Sequence, residues 1–317
     1  MGKGSKERSK ERRESRLQEI SLLRTYSYSN HERWWNSKKT IAVVTGGNRG
    51  IGFEISRQLA SHGISVVLTS RDSEVGIEAV KVLQEVGLSV EFHQLDIVDP
   101  QSIEEFADWI KATHGGLDIL VNNAGVNFNI GSENSVEHAE QVIKTNYYGT
   151  KNLIEALISL MKPSPSGARI VNVSSRLGRI NGRRNRIGDP NLREQLSNDD
   201  SLSEELIDDT LKNFLQQTKD GSWESGGWPQ NFTDYSMSKL AINCYSRYLA
   251  RKLSDRPEGE KVCINCFCPG WVKTAMTGWS GNSSVEIGAD TGVWLALLPG
   301  QPPVKGKFFA ERREIHF

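Results

Sequence analysis

Cysteine is scarce in this chain. There are four in 317 residues, Cys244, Cys263, Cys266 and Cys268, too few and too clustered for a disulfide framework. Cys263 and Cys266 have a CxxC spacing, but they stand in an apolar, strand-like run with no histidine nearby to complete a tetrahedral set. They read as small buried hydrophobes in a reducing compartment, and no metal is expected. Net charge is also missing: Lys plus Arg and Asp plus Glu each number 39. No global field therefore favours nucleic acid or anionic lipid. No apolar run is long enough to span a bilayer, and the N-terminus lacks the hydrophobic stretch of a secretory signal. Met1-Gly2 opens a myristoylation motif that Lys6 closes, because that motif needs Ser or Thr there. Acidic residues among the first sixteen argue against a transit peptide. The expectation is a cytoplasmic protein without stable membrane association.

With 37% hydrophobic and 25% charged residues, the chain can bury a large core. Residues 1–38 form a charged extension, with apolar positions at Leu17, Ile20 and Leu23 and an aromatic end, Trp34-Trp35, that is expected to dock on the body. Residues 39–317 read as one domain. Short apolar runs alternate with amphipathic stretches: Ile41–Val44, then a helix from Ile51; Ser65–Thr69, then a helix through Leu83; Val90–Leu95, then a helix through Ile110. Leu117–Val121 and Ala168–Val173 flank a helix running past Ile143 to Leu160. Val262–Cys268, a helix over Val285–Leu298 and a last strand at Lys307–Phe309 complete the pattern. Strand and helix in alternation predict parallel βαβ units. The fold class is therefore α/β, a doubly wound parallel sheet in a three-layer αβα sandwich. Residues 179–231 interrupt it as an insert that starts basic (Arg179, Arg183, Arg184, Arg186) and continues as a helical hairpin. Ser201-Leu202-Ser203-Glu204 has a capping-box pattern, and Leu206, Ile207, Leu211, Phe214 and Leu215 make an apolar stripe.

Two segments bear chemistry. Thr45-Gly46-Gly47-Asn48-Arg49-Gly50-Ile51-Gly52 joins an apolar strand to a helix and can receive a dinucleotide pyrophosphate. Gly46 permits a tight bend, Gly50 a close backbone approach to phosphate, and Gly52 close helix packing. The second strand ends Thr69-Ser70-Arg71 where an NAD site would place an acid, and Arg49 stands in the turn. Two guanidiniums there suit a 2′-phosphate, so NADP(H) is the expected cofactor, Asp72 being one residue late for the acid. Asn122-Asn123-Ala124-Gly125 suits a loop lying against cofactor, locked by amide hydrogen bonds. The second segment, Tyr235-Ser236-Met237-Ser238-Lys239, read as helix, sets a phenol and an ammonium on one face.

The Gly46-xxx-Gly50-Ile51-Gly52 turn, Asn122–Gly125, Ser174-Ser175, Tyr235-xxx-Lys239 and Pro269-Gly270 occur in the order of the short-chain dehydrogenase/reductase family, which the chain resembles from Lys39 to its C-terminus. The long insert, Gly227-Trp228-Pro229 and Cys268-Pro269-Gly270-Trp271-Val272 look like the carbonyl reductase branch, which takes in plant menthone, neomenthol and salutaridine reductases.

The resemblance implies an NADPH-dependent oxidoreductase reducing a ketone or aldehyde of terpenoid, alkaloid or xenobiotic type. Tyr235 would be the general acid, Lys239 would lower its pKa and hold the nicotinamide ribose, Ser175 would hydrogen-bond the carbonyl, and Asn146 would seat a relay water. Ser175 is preferred to Ser174 because two residues and Gly178 follow it. Gly46, Asn48, Arg49, Gly50, Ile51, Gly52, Arg71, Asp96, Ile97, Asn123, Ala124, Gly125, Pro269, Gly270, Val272 and Thr274, with Tyr235 and Lys239, make up the implied cofactor set. Asp96 would contact adenine, and Val272 and Thr274 the carboxamide and phosphates. Trp228, Trp271, Met276 and Trp279 are candidates to line an apolar substrate pocket. The branch's insert covers helix faces that other members use to form tetramers, which implies a monomer whose Leu206–Leu215 stripe is buried within the chain. Alternatives are NADP-dependent alcohol oxidation by the same site, and a cofactor-binding scaffold protein.

Overall fold

The computed structural model describes Gln18, Ser21 and residues 33–128, 135–183, 185–299 and 304–317. The charged tract of residues 1–16, the predicted helical positions Leu17, Ile20 and Leu23, and Arg184 of the basic run lie outside them.

Among the described residues, eight strands form one sheet in the order β3-β2-β1-β4-β5-β6-β7-β8. They are β1 (Ile41–Val44), β2 (Ser65–Ser70), β3 (Val90–Gln94), β4 (Ile119–Asn122), β5 (Ala168–Val173), β6 (Val262–Phe267), β7 (Phe308–Ala310) and β8 (Arg313–Ile315). The first seven run parallel, with Ala42 opposite Val66 and Ile170 opposite Ile264; β8 is antiparallel to β7. This is the doubly wound sheet expected. β8 adds an edge hairpin to it, and Arg313-Glu314-Ile315 is too short and charged to announce a strand.

The apolar strands are buried on both faces, and period-two alternation splits them between two cores. Val43, Leu120 and Ile170 face one cluster, while Ala42, Val44, Ile119, Val121 and Val171 face the other. Helices α1 (Gly50–Ser61), α2 (Ser73–Glu85) and α9 (Val285–Leu297) contribute to the second cluster. Helices α3 (Pro100–His114), α4 (Val136–Ile143), α5 (Thr150–Leu157) and α8 (Thr233–Lys252) close the first. Local chemistry sets the boundaries. α3 starts where Asp99 Oδ1 accepts from the Gln101 amide with Pro100 in the first turn, and stops at left-handed Gly115. The helix predicted to run past Ile143 to Leu160 is interrupted: a π segment over Lys144–Gly149 separates α4 from α5, and a 3-10 turn carries the chain from 158 to 160.

The insert is a helical hairpin, α6 (Pro190–Ser197) and α7 (Glu204–Lys219). Its cap is Ser203, whose Oγ accepts from the Leu206 amide, rather than Ser201. Ser201 is committed elsewhere, donating to the Gln195 carbonyl at the end of α6. Ile207, Leu211 and Phe214 are buried within the chain against α4 and α8, as the stripe predicted. All four cysteines are free and buried. No helix among the described residues is long and apolar enough to cross a membrane.

The aromatic end of the N-terminal segment docks as expected, which places the folded unit's start before the boundary drawn at Lys39. Trp35 is buried in the second core and its Nε1 donates to the His62 carbonyl at 3.1 Å. The Trp34 ring lies 4.6 Å from the guanidinium carbon of Arg169, which is itself buried.

Candidate active site

The order β3-β2-β1-β4 reverses between β1 and β4, so the crevice at their carboxyl ends is where an open α/β sheet receives ligands. The glycine turn leaves β1 there. Gly46 has φ +61°, and a Cβ on it would stand 3.0 Å from the Ala124 Cα. Gly50 has φ +57°. A Cβ on Gly52 would meet Asn123 Nδ2 at 2.4 Å and the Gly46 carbonyl at 2.5 Å. The close packing expected of Gly52 is thus against the turn and the β4 loop rather than against the strand. Asn123 donates from Nδ2 to the Thr45 and Gly46 carbonyls, and the Asn123 and Ala124 amides donate to Thr45 Oγ1. These bonds lock the two loops together, as the small-residue run predicted.

Arg49 precedes α1 without capping it, and no acid stands in the first turn. The leading amides of α1 and its dipole therefore face the crevice free of side-chain competition, which suits a pyrophosphate. Arg49 and Arg71 are exposed beside the turn. Asp72 caps α2, its Oδ1 accepting from the Val75 amide at 3.2 Å. That engagement accounts for an acid standing near the adenosine-ribose end of the crevice. Asp96 accepts from the Val98 amide at 3.0 Å, and buried Ile97 packs on Gly149. After β6, Gly270 turns at φ +90°, buried Val272 lies against Gly288, and the Thr274 amide donates to Thr277 Oγ1. These residues form a cradle that fits a dinucleotide.

At the far side of the crevice the structure brings three of the four predicted catalytic residues together. Lys239 Nζ donates to the Val173 carbonyl at 2.8 Å, at the end of β5, and lies 5.4 Å from the Tyr235 ring centroid. A Cβ on Gly125 would be 3.0 Å from Asn146 Oδ1 and 3.8 Å from Lys239 Nζ, so the amide and the ammonium flank one glycine. Asn146 Oδ1 accepts from the Val126 amide at 2.8 Å, while Nδ2 donates to the Val126 carbonyl (2.9 Å) and to Ser238 Oγ (3.0 Å). Ser238 was not singled out from sequence; its place beside Lys239 was the available signal.

Ser175, half-buried, begins the 3-10 turn after β5 and accepts from the Leu177 amide. Ser174 is buried and donates to Asn243 Oδ1 at 2.6 Å, so its hydroxyl is spent inside the fold. Of the pocket candidates, Trp271, Met276 and Trp279 are exposed on the loop after β6. Trp228 is packed into the insert rather than exposed with them. It is 3% exposed, packs edge-on against Phe214 and donates from Nε1 to Gln217 Oε1. It is a core residue of the insert.

Burial dominates the electrostatics. It pushes the Tyr235 phenol well above its ordinary range, reinforced by Cys268, and pulls the Lys239 ammonium down to about 8. Desolvation is the largest cause for both groups, because they share one poorly solvated space. For Lys239 the folded value lies below the ordinary 10.5, so the unfolded chain binds more protons between pH 8 and 10.5, and stability from this group rises with pH across that window. The gap corresponds to about 3 kcal/mol. Lys239→Met is expected to stabilise the protein at pH 7 by about 2 kcal/mol once the bond to Val173 is lost. Thermal melts at pH 7 and near 10.5 check this: the gain should shrink towards the alkaline end, and a constant difference would contradict it.

Fold and crevice define a dinucleotide-binding α/β protein with a tyrosine–lysine helix at the mouth. The short chain dehydrogenase model matches residues 40–186. Carbonyl reductase (NADPH) 1 of Mus musculus is 41% identical over 266 residues, covering 83% of this chain and 93% of that protein. The (+)-neomenthol dehydrogenase of Arabidopsis thaliana is 44% identical over 299 residues, covering 87% and 97%. The structure of salutaridine reductase from Papaver somniferum superposes with a TM-score of 0.76 at 39% identity, over 85% of this chain and 99% of that one. The chain belongs to the short-chain dehydrogenase/reductase family.

Proposed function

We propose that this chain is an NADPH-dependent carbonyl reductase, taking small to medium apolar ketones or aldehydes of terpenoid, alkaloid or xenobiotic type to alcohols. The observation that carries the reading is the half-exposed Tyr235 phenol beside the buried Lys239 ammonium, across the crevice from the glycine turn. The names of the relatives point the same way. Bound in the cradle, NADPH supplies the hydride. Tyr235 then donates its proton to the carbonyl oxygen, and its raised pKa keeps it in the protonated form that reduction requires. Ser175 donates to the same oxygen as charge develops there. Lys239 favours the phenolate left behind, and Asn146 holds the path by which Lys239 regains a proton. Trp271 and Met276, exposed on the loop after β6, would offer apolar surface to such a substrate. Burial of Ile207, Leu211 and Phe214 within the chain supports a monomer.

Purified protein assayed with NADPH, NADH and a panel of carbonyls tests the reading. Arg49→Ala/Arg71→Ala is expected to raise the KM for NADPH about 10- to 100-fold, the worth of one or two charge-assisted contacts, with the KM for NADH nearly unchanged. Equal loss for both cofactors would remove the 2′-phosphate assignment. No turnover of any carbonyl with either cofactor would remove the reductase reading.

A further inference from the structure

The insert reaches the catalytic machinery through one partly buried polar cluster. α7 presents Glu204 and Asp208 one helical turn apart, on the face that meets the π segment and α5. Lys151, only 7% exposed, places its ammonium between them, 2.6 Å from Glu204 Oε1 and 2.9 Å from Asp208 Oδ2. The other oxygen of Asp208 accepts from the hydroxyl of Tyr147 at 2.8 Å. Tyr147 is fully buried, its ring 4.9 Å from Tyr148 and 6.0 Å from Tyr245 of α8, and the Lys151 ammonium lies 5.9 Å from its centroid. The Tyr147 hydroxyl, the Lys151 ammonium and both Asp208 oxygens are thus each partnered, which a network at the buried end of this cluster requires.

Tyr147 is the residue after Asn146, and both lie in the π segment. A π turn inside an α-helix is rare and sits at functional positions because it reorients one side chain. Relaxing it to regular α-helix would shift the register by one residue, turning the Asn146 side chain by about 100° away from its partners. Asn146 is held tightly on its own side by Val126 and Ser238, with Gly125 so near that a Cβ would fall 3.0 Å from Oδ1. Across the helix the Tyr147 ring is packed on Tyr148 and Tyr245, and Asp208 fixes the direction of its hydroxyl. We propose that Asp208 of the insert is a positioning residue for Asn146, acting through the Tyr147 hydroxyl and holding the π segment in register. The insert thereby sets turnover as well as covering the helices. This rests on the catalytic reading of Asn146. Burial and the charge of Asp208 push the Tyr147 phenol far up, so it remains a donor across the working pH range.

The test compares Tyr147→Phe, Asp208→Asn, Asn146→Ala and the double variant Tyr147→Phe/Asn146→Ala in the full chain. Readouts are kcat, both KM values and the solvent deuterium isotope effect. Tyr147→Phe removes one hydroxyl and leaves the ring, so it carries the decision even where Asp208→Asn folds poorly. Its kcat is expected to fall about 10-fold, as small displacements of catalytic groups do. Both KM values should stay within about two-fold, the pattern of an interaction felt only in the transition state. The solvent isotope effect should rise, and Tyr147→Phe should cost nothing further in the Asn146→Ala background. A purely structural cluster would lower the melting temperature and leave kcat and the isotope effect alone, overturning the proposal. So would additive losses in the double variant. If Asn146→Ala itself keeps wild-type kcat while Tyr235→Phe is inactive, the role of Asn146 fails first and the positioning role falls with it.

Discussion

Tyr235→Phe is expected to lower kcat for carbonyl reduction about 10³-fold, the middle of the range for a positioned general acid, with the KM for NADPH nearly unchanged. The reasoning is geometric. Tyr235 is half-buried near the start of α8, its ring 5.4 Å from the Lys239 ammonium, and that ammonium is fixed by the Val173 carbonyl. Phenylalanine keeps the ring and the packing and deletes only the oxygen. The cradle at the glycine turn is made by other residues, so cofactor affinity should survive, as a fluorescence titration with NADPH can check. The same variant separates the rival readings. Alcohol oxidation would be lost in parallel, since removal and donation of the proton use one oxygen. A scaffold protein that binds cofactor without turning it over would show no difference between wild type and variant. A variant within ten-fold of wild type would leave Tyr235 without a catalytic role.

Most of the fold was legible because short, fully buried parallel strands leave a plain mark: β5 was read from Ala168 to Val173 and lies there. The glycine turn was legible for a similar reason, since positive φ at Gly46 and Gly50 leaves few residue choices. What escaped depended on partners remote in sequence. Nothing in Lys144-Thr145-Asn146-Tyr147 signals a π segment, and Gly149 at its end is the one residue there that disfavours a regular helix; its contacts with α7 and α8 come from residues remote in sequence. Trp228, between glycine and proline, resembles a loop aromatic at a pocket. Phe214 and Gln217, more than ten residues upstream, take it into the core of the insert. The pairing of Tyr235 with Lys239 is visible in sequence, and the desolvation that acts on both is not.

The N-terminal boundary carries the second large prediction: Trp35→Ala is expected to destabilise the protein by about 3 to 5 kcal/mol, the usual cost of emptying a buried aromatic site. That is a large fraction of the roughly 5–15 kcal/mol by which a domain is held folded. Trp35 is 5% exposed, lies in the core cluster of α1, α2 and α9, and donates to the His62 carbonyl at the end of α1. Alanine would leave both a cavity and an unsatisfied carbonyl. Lys38 adds a second tie, its amide donating to the Gly63 carbonyl at 2.8 Å. Trp34 contributes differently. Its ring covers Arg169, a buried guanidinium whose donors go to the carbonyls of Ser166, Gly167 and Leu298. A chain beginning at Lys39 removes both indoles, so it should be less stable than Trp35→Ala and lose activity by unfolding. A deletion meant to ask whether the charged extension binds a partner must therefore stop before Arg33, or loss of fold will pass for loss of binding. Urea denaturation of Trp35→Ala and of the two truncations decides the matter. A Trp35→Ala midpoint equal to wild type would return these residues to the status of a dispensable tail.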